Sequence, residues 1–339
     1  MKTLMRGLAG TAALIALVSF AAPVQAQDAP PEGWQKEFDL RLNLLQSSYS
    51  SNWHGGDKGS VVWTGNFDGR VERQFSPRTN WRNHLKLAYG QTHNQDRTAD
   101  GSLYWKKPDK SDDIIDFESL FRWTYASGWD PFVSFKFMSM FQDLNDIDLR
   151  SLSFNPLTFK ESAGISRPWI NQEDRKLMSR LGVAFIQNSR KYYPEFSPVN
   201  DIARVGSTEI AAELITEYRV GALDGRVDWE SKLTLSLPFA YSGKSVFEDG
   251  FTSLAPLPDD IASYTTTLDA DWENTFTANI TKVISVKFYL RWVYDKYDNS
   301  VKPVVEDGAL VNEADVHNAV RLAGQFKQTL ALGFGYKFN

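Results

Sequence analysis

The sequence predicts an all-β chain: an antiparallel transmembrane β-barrel of about twelve strands, preceded by a cleaved signal peptide. Three observations carry this. Apolar and polar residues alternate with period two over segments of ~10 residues or more, the length a tilted strand needs to cross hydrocarbon. Short and long connections between these segments alternate, as in outer-membrane barrels with tight periplasmic turns and long extracellular loops. Aromatic residues make up 14% of the chain, with eleven Trp and no cysteine. Amphipathic rings suit the headgroup level. An exported chain without disulfides needs another stabilising device, and barrel closure is one because it leaves no free edge.

The elements follow in chain order. Lys2 and Arg6 give a basic start, Ala9 to Ala21 form a short apolar run broken by Pro23, and Val24-Gln25-Ala26 fits a small-residue cleavage site. Residues 1–26 therefore read as a secretory signal peptide, too short for a spanning helix, and 27–35 as a short periplasmic lead-in. No later segment approaches ~20 consecutive apolar residues, so no spanning helix is expected. The formal charge of −5 becomes −7 once Lys2 and Arg6 are removed. A mildly acidic exported chain with no basic block is a poor partner for nucleic acid.

Residues 36–339 form the barrel, with both termini expected in the periplasm. Phe38, Leu40, Leu42 and Leu44 alternate with Asp39, Arg41 and Asn43; Val61, Trp63, Phe67 and Val71 alternate with Thr64, Asn66, Asp68 and Arg70. Trp81 to Tyr89, Ile115 to Tyr125, Val133 to Phe137, Phe159 to Ile165 and Leu177 to Phe185 repeat the pattern, as do Ile210 to Tyr218, Val227 to Phe239 and Leu268 to Phe276. The clearest case is Ile284, Val286, Phe288, Leu290, Trp292 and Tyr294 against Lys287, Arg291 and Asp295. The last strand is expected from Val320 to Phe338. The register of the sixth and seventh strands is left open, because Arg167-Pro168 interrupts the alternation. Tight turns are expected near Ser76-Thr79, Ser127-Asp130, Asn171-Asp174, Leu223-Gly225 and Asn279-Lys282, and polar loops over 46–60, 92–113, 143–157, 188–207, 242–263 and 296–318.

One stretch is motif-like. The first long loop reads S-S-Y-S-S-N-W-H-G-G-D-K-G-S from Ser47 to Ser60, followed by N-H-L-K-L-A-Y-G (Asn83 to Gly90) and K-S-D-D-I-I-D (Lys110 to Asp116). Over residues 36–145 the chain resembles the uncharacterised exported bacterial family catalogued as domain of unknown function 3078. That resemblance implies an outer-membrane barrel and supplies no catalytic residues.

If the apolar face meets lipid, the opposite face lines a lumen with near-balanced charge, unlike the sign-biased lining of a selective pore. Asp68, Arg70, Arg82, Glu118, Arg122, Glu230, Lys232, Lys287 and Arg291 are the candidate lumen charges. Pairing across strands, blocking much of a narrow bore, is weighed above an open ion pathway, since buried charges are normally paired. Trp53, His54, Gly55, Gly56 and Trp105 are candidates for a sugar- or lipid-contacting rim, against a plainer reading as belt residues beside a tight loop.

No metal or cofactor is expected. Asp143 to Asp148 places oxygen ligands at alternate positions but lacks the glycine and glutamate of an EF-hand loop. Of the four histidines, His54, His93 and His317 are expected in loops and His84 in the lumen; no G-x-S-x-G motif accompanies them. The favoured expectation is a non-enzymatic barrel in the outer membrane of a Gram-negative bacterium, either a narrow pore for small solutes or a scaffold. The alternative is a barrel-embedded hydrolase acting on lipid or peptide at the outer leaflet, with His54, His93 and Asp112-Asp113 as its best residues. Expected partners are outer-membrane lipid and, during insertion, the barrel-assembly machinery.

Overall fold

The computed structural model describes residues 33–49, 58–100, 102–125, 128–144, 150–172, 174–194, 201–223 and 225–338. The signal peptide, most of the lead-in and the Trp53-His54-Gly55-Gly56 element lie outside the described residues.

Twelve long strands follow one another and close into an antiparallel ring. They are β1 (Gly33–Ser47), β2 (Ser60–Ser76), β3 (Thr79–Arg97), β4 (Asp109–Trp123), β5 (Asp130–Ser139) and β6 (Leu157–Asn171). The second half comprises β7 (Arg175–Tyr192), β8 (Ala203–Ala222), β9 (Val227–Tyr241), β10 (Asp269–Asn279), β11 (Ile284–Tyr294) and β12 (Gln325–Phe338). Each pairs with its sequence neighbours, and β12 pairs with β1 to complete the ring. Short turns and both ends of the barrel sequence share one rim; the long loops share the other.

Alternation translates directly into facing. Leu40 and Leu42 on β1, Val133 and Phe135 on β5, Leu181 and Val183 on β7, and Leu330 and Leu332 on β12 are all exposed. Their neighbours Arg41, Ser134, Arg180 and Ala331 take the opposite face. An apolar outer surface around a closed ring with a charged interior is the inverse of a soluble protein, and it is the surface a hydrocarbon layer requires. Toward the short-turn rim this surface carries rings under arginines. Arg73 lies 5.2 Å from the Trp34 ring centre and 4.9 Å from that of Phe75. Arg167 lies 4.9 Å from Trp129 and 4.6 Å from Trp169.

The interrupted register resolves as a bulge. Leu177 pairs with Ile170 and Met178 with Pro168, so Trp169 is the extra residue on β6. A second bulge on β9 leaves Phe239 extra beside Pro238. Proline has no N–H to give the ladder, and a bulge is where a sheet tolerates that loss.

Three expectations are corrected. β1 begins at Gly33, inside the expected lead-in. His93 lies within β3 and not in a loop, because the hairpin continues well past the expected crossing length. β12 begins at Gln325, so Val320 and Leu322 belong to the preceding connection.

That connection and the one between β9 and β10 are not plain polar loops. They carry α1 (Lys244–Asp249), α2 (Ile261–Tyr264) and α3 (Glu313–Ala319) and share a core of Tyr241, Phe247, Ile261, Tyr264, Tyr297, Val301, Leu310, Val316 and Ala319. The result is a folded cap at the long-loop rim. It leans on the inner wall, where the Asn299 side-chain amide donates to Glu209 Oε2 at 2.7 Å and Ser207 Oγ donates to the Asn299 carbonyl at 2.7 Å. Among the described residues no helix is long and apolar enough to cross a membrane, which says nothing of spanning strands.

Candidate functional site: the lumen and its cap

Inward arginines meet carboxylates throughout the bore. Arg70 on β2 reaches across to Glu230 on β9 with two parallel hydrogen bonds of 2.9 and 2.8 Å. Arg219 on β8 makes the same fork to Glu37 on β1, both at 3.1 Å. Arg291 forks onto Asp271 of the neighbouring strand at 2.9 and 2.8 Å. Arg82 donates to Glu217 at 3.0 Å and lies 3.9 Å from Glu118. Arg180 donates to Glu118 at 2.7 Å and lies 3.4 Å from Glu217. Arg122 is 3.8 Å from Asp130, and Arg41 pairs with Asp39. Planar guanidinium forks suit such bidentate contacts, and their reach spans a narrow bore.

The filling is lopsided. Along β4 to β8 the inner side chains pack tightly: Leu120, Phe132, Ala184, Ala211 and Ile215 are buried, and Arg180 is only 1% exposed. Gly164 and Gly182 pair directly across β6 and β7. A Cβ on Gly182 would come within 2.5 Å of the Ala163 carbonyl and 3.2 Å of the Phe132 ring, so the bare backbone there makes room for that ring. The Arg180 guanidinium sits 5.8 Å from the same ring centre.

The other wall, β9 to β12 and round to β3, is different. From Thr329 to Gly335, β12 presents Thr329, Ala331, Gly333 and Gly335 inward. The charged chains facing it keep contact with solvent, with side-chain exposures of 39% for Arg291 and 35% for Glu230. The inner side chains of this wall are thus less deeply buried than those along β4 to β8.

Of the expected lumen charges, the structure brings Arg70 to Asp68 and Glu230, Arg82 to Glu118, and Arg122 to Asp130. Lys232 and Lys287 also face inward, yet among the described residues neither has a carboxylate within 4.0 Å. Sequence reasoning left out Arg180, Glu217, Arg219 and Asp271, which complete these pairs. Their inward phase was readable, but their partners depend on which strands face each other across the bore. Trp105 lies on a short strand, Leu103–Trp105, added to the end of β3, and is exposed.

No histidine among the described residues is hydrogen-bonded to a serine or threonine hydroxyl. His84 Nε2 meets Asp68 Oδ1 at 2.9 Å, inside the bore, and His317 Nε2 meets Glu313 at 3.3 Å in the cap. Asp112 takes Lys327, while Asp113 accepts the backbone N–H groups of Phe141 and Gln142 and so ties down a loop. The Asp143 carboxylate, first in the calcium-like stretch, accepts from Asn155 at 2.7 Å and lies 3.5 Å from Arg190; residues 145–148 lie outside the described residues. No group of three or more metal-ligating side chains is found among the described residues.

The cap is pinned by Glu313 at the first turn of α3. Burial works against its charge, yet it accepts from the Ala255 N–H at 2.8 Å, the Ser253 hydroxyl at 2.7 Å and the Leu254 N–H at 3.1 Å. These bonds hold its carboxyl down to about 2. Asp295, at the cap's floor, goes the other way: burial and the nearby Asp298 push it up to about 6, although Arg321 holds both carboxylates.

A family model described as a protein of unknown function (DUF3078) matches residues 44–143. No curated protein matches the chain. Among solved structures, similar ones include the COG4313 outer membrane channel from Pseudomonas putida F1, 11% identical with a TM-score of 0.38, covering 93% of this chain and 100% of that one. The translocator domain of the autotransporter NalP from Neisseria meningitidis is 8% identical with a TM-score of 0.36, covering 92% and 90% respectively. The NanC porin is 11% identical with a TM-score of 0.31, covering 89% and 100%. These are likenesses of form, and none of them brings a solute to this chain.

Proposed function

We propose that this chain is a non-enzymatic β-barrel of the Gram-negative outer membrane that passes small hydrophilic solutes along the accessible half of its lumen. One observation carries the reading. The wall from β9 round to β3 lines its inner face with small residues and solvent-contacting charges, whereas a scaffold with no transport role needs no such asymmetry. Charges in a water-filled bore are inexpensive compared with charges in hydrocarbon, so the solvent-contacting charges of this wall support a water path along it. The folded cap over the long-loop rim fits the same reading as a restriction on access.

The test is planar-bilayer conductance of the refolded mature chain beside a Lys287→Ala/Arg291→Ala variant. Both side chains project from β11 into the accessible half, so truncating them is expected to widen a small, steady conductance. Silence from both proteins overturns the pore and leaves a closed scaffold whose role lies in its loops.

A further inference from the structure

The inward cations divide into two sets. Every inward arginine on β1 to β11 has a carboxylate within 4.0 Å, and so do Lys136 with Asp116 and Lys160 with Glu213. Lys86 on β3, Lys232 on β9 and Lys287 on β11 do not, among the described residues, nor does Lys176, which is exposed at the short-turn end of β7. The first three project from the wall that runs from β9 round to β3, inside their strands, and each is half-buried. Their strand neighbours explain why they are left over. Asp68, opposite Lys86, is taken by His84 and Arg70; Asp116, on its other side, is taken by Lys136. Glu217, opposite Lys232, is taken by Arg82 and Arg180, while Glu273, on its other side, accepts from Tyr289 and leaves the ammonium more than 4.0 Å away. Lys287 has only Thr277 and Ala331 beside it.

The three belong to one electrostatic neighbourhood. Glu273 on β10 lies in the field of Lys86, Arg291, Lys232 and Lys136, and Lys287 in that of Arg41 and Lys86 and of the carboxylates Asp68 and Glu230. Glu273 is the one acid of this band that no cation approaches within 4.0 Å among the described residues; it accepts instead from the Tyr289 hydroxyl at 3.3 Å. Asp68, Glu230 and Glu37 share the two guanidinium groups of Arg70 and Arg219, which leaves one further negative charge, so three ammonium groups stand against two and a water path there is net positive. Paired charges largely cancel at a distance, so the leftover ones set the field that a passing ion meets.

We propose that Lys86, Lys232 and Lys287 form an anion-binding band in the middle of the lumen, taking small oxyanions such as phosphate or carboxylates. Ammonium groups on flexible stems suit such a band, because each offers three donors and can follow a moving anion, which a forked arginine locked to a carboxylate cannot. Acidic residues also stand beneath the cap at the long-loop end, Asp269 on β10 among them. Asp295 and Asp298 are both held by Arg321, and Glu209 by Asn299. This inference rests on the water-accessible half-lumen of the proposed function, and its test separates the two.

Two measurements compare the natural chain with a Lys86→Gln/Lys232→Gln/Lys287→Gln variant. Removing these lysines leaves no carboxylate without a close partner that had one before, so the variant is expected to fold; a Lys→Arg triple serves as the charge-conserving control. The first measurement is reversal potential in a potassium chloride gradient. The natural chain is expected to lie on the chloride side of zero, with the glutamine triple moved to zero or to the potassium side. The second needs no conductance: the ³¹P line of inorganic phosphate is expected to broaden with the natural barrel in detergent and with the arginine triple, but not with the glutamine triple. Broadening without conductance sustains the anion band while the pore reading falls. Conductance with no chloride preference and no phosphate broadening overturns the anion band and leaves the pore standing.

Discussion

Removing the Arg180 guanidinium would leave two carboxylates, Glu118 and Glu217, with only Arg82 to serve both among the described residues, so one buried charge loses its partner. Uncompensated buried charge is expensive, on the order of 3–5 kcal/mol when one partner of a buried pair is lost. Arg180→Met should therefore cost about that much, read as a lower urea midpoint for loss of the folded, heat-modifiable form. Arg291→Met breaks a pair on the accessible wall, where water screens the remaining Asp271, and should cost only ~0–1 kcal/mol. Equal losses from the two would count against the division of the bore into a packed and a wet half. Sequence reading found the right face for both arginines, because alternation fixes which way each side chain points. It could not find their partners: Arg70 and Glu230 are 160 positions apart, and only the closed ring brings them together.

At the scale of elements, all twelve strands were legible, and the cap was not. Long alternating runs such as Ile284 to Tyr294 carry their own signature, and the tight turns between them supply the punctuation. Asn279-Ile280-Thr281 behaves as turn chemistry predicts, with Thr281 Oγ1 accepting from the N–H groups of Val283 and Ile284. The cap has weaker local signs. Its core residues, including Phe247, Ile261, Val301 and Val316, are scattered through polar sequence, and they gather only when two loops meet. Glu313 is the tie between those loops, and its chemistry makes the cap sensitive to acid. Its folded value of about 2 lies below the ordinary 4.5, so its contribution is fully present above pH 4.5 and is lost as pH falls toward 2. Asp295, raised to about 6, has the opposite sign and its contribution fades as pH rises through that value. Pepsin cleavage within the cap of the liposome-inserted protein should therefore accelerate as pH drops from 4.5 to 2, beyond the protease's own activity profile. Glu313→Gln should cleave readily throughout, without that extra dependence. An identical profile for the two proteins would show that Glu313 does not hold the cap.

For the whole molecule, the barrel is only as complete as its seam. β1 and β2 share fifteen backbone pairs and β7 and β8 eighteen, but β1 and β12 share six, from Phe38↔Phe338 to Asn43↔Gly333. Two of those six pairs use Gly333 and Gly335, so closure depends on close approach at bare backbone. A Cβ on Gly335 would come within 2.7 Å of the Leu40 carbonyl oxygen and 2.6 Å of Arg41 Cγ. Backbone cannot yield there without pulling the strands apart, and in hydrocarbon an opened edge leaves N–H and C=O groups with no partner at all. Gly65, on the well-paired β2, is the matched control, since its nearest neighbour is the Tyr89 carbonyl oxygen at 4.0 Å. Gly335→Ala should lower the fraction of refolded chain that migrates as a closed barrel before heating, while Gly65→Ala should not. Both lie within strands, so the small general cost or benefit of replacing glycine in a strand is common to them, and the difference isolates the seam. Equal folding of the two variants would mean that β12 can shift against β1 without penalty. Closure would then be governed by the longer ladders elsewhere in the ring.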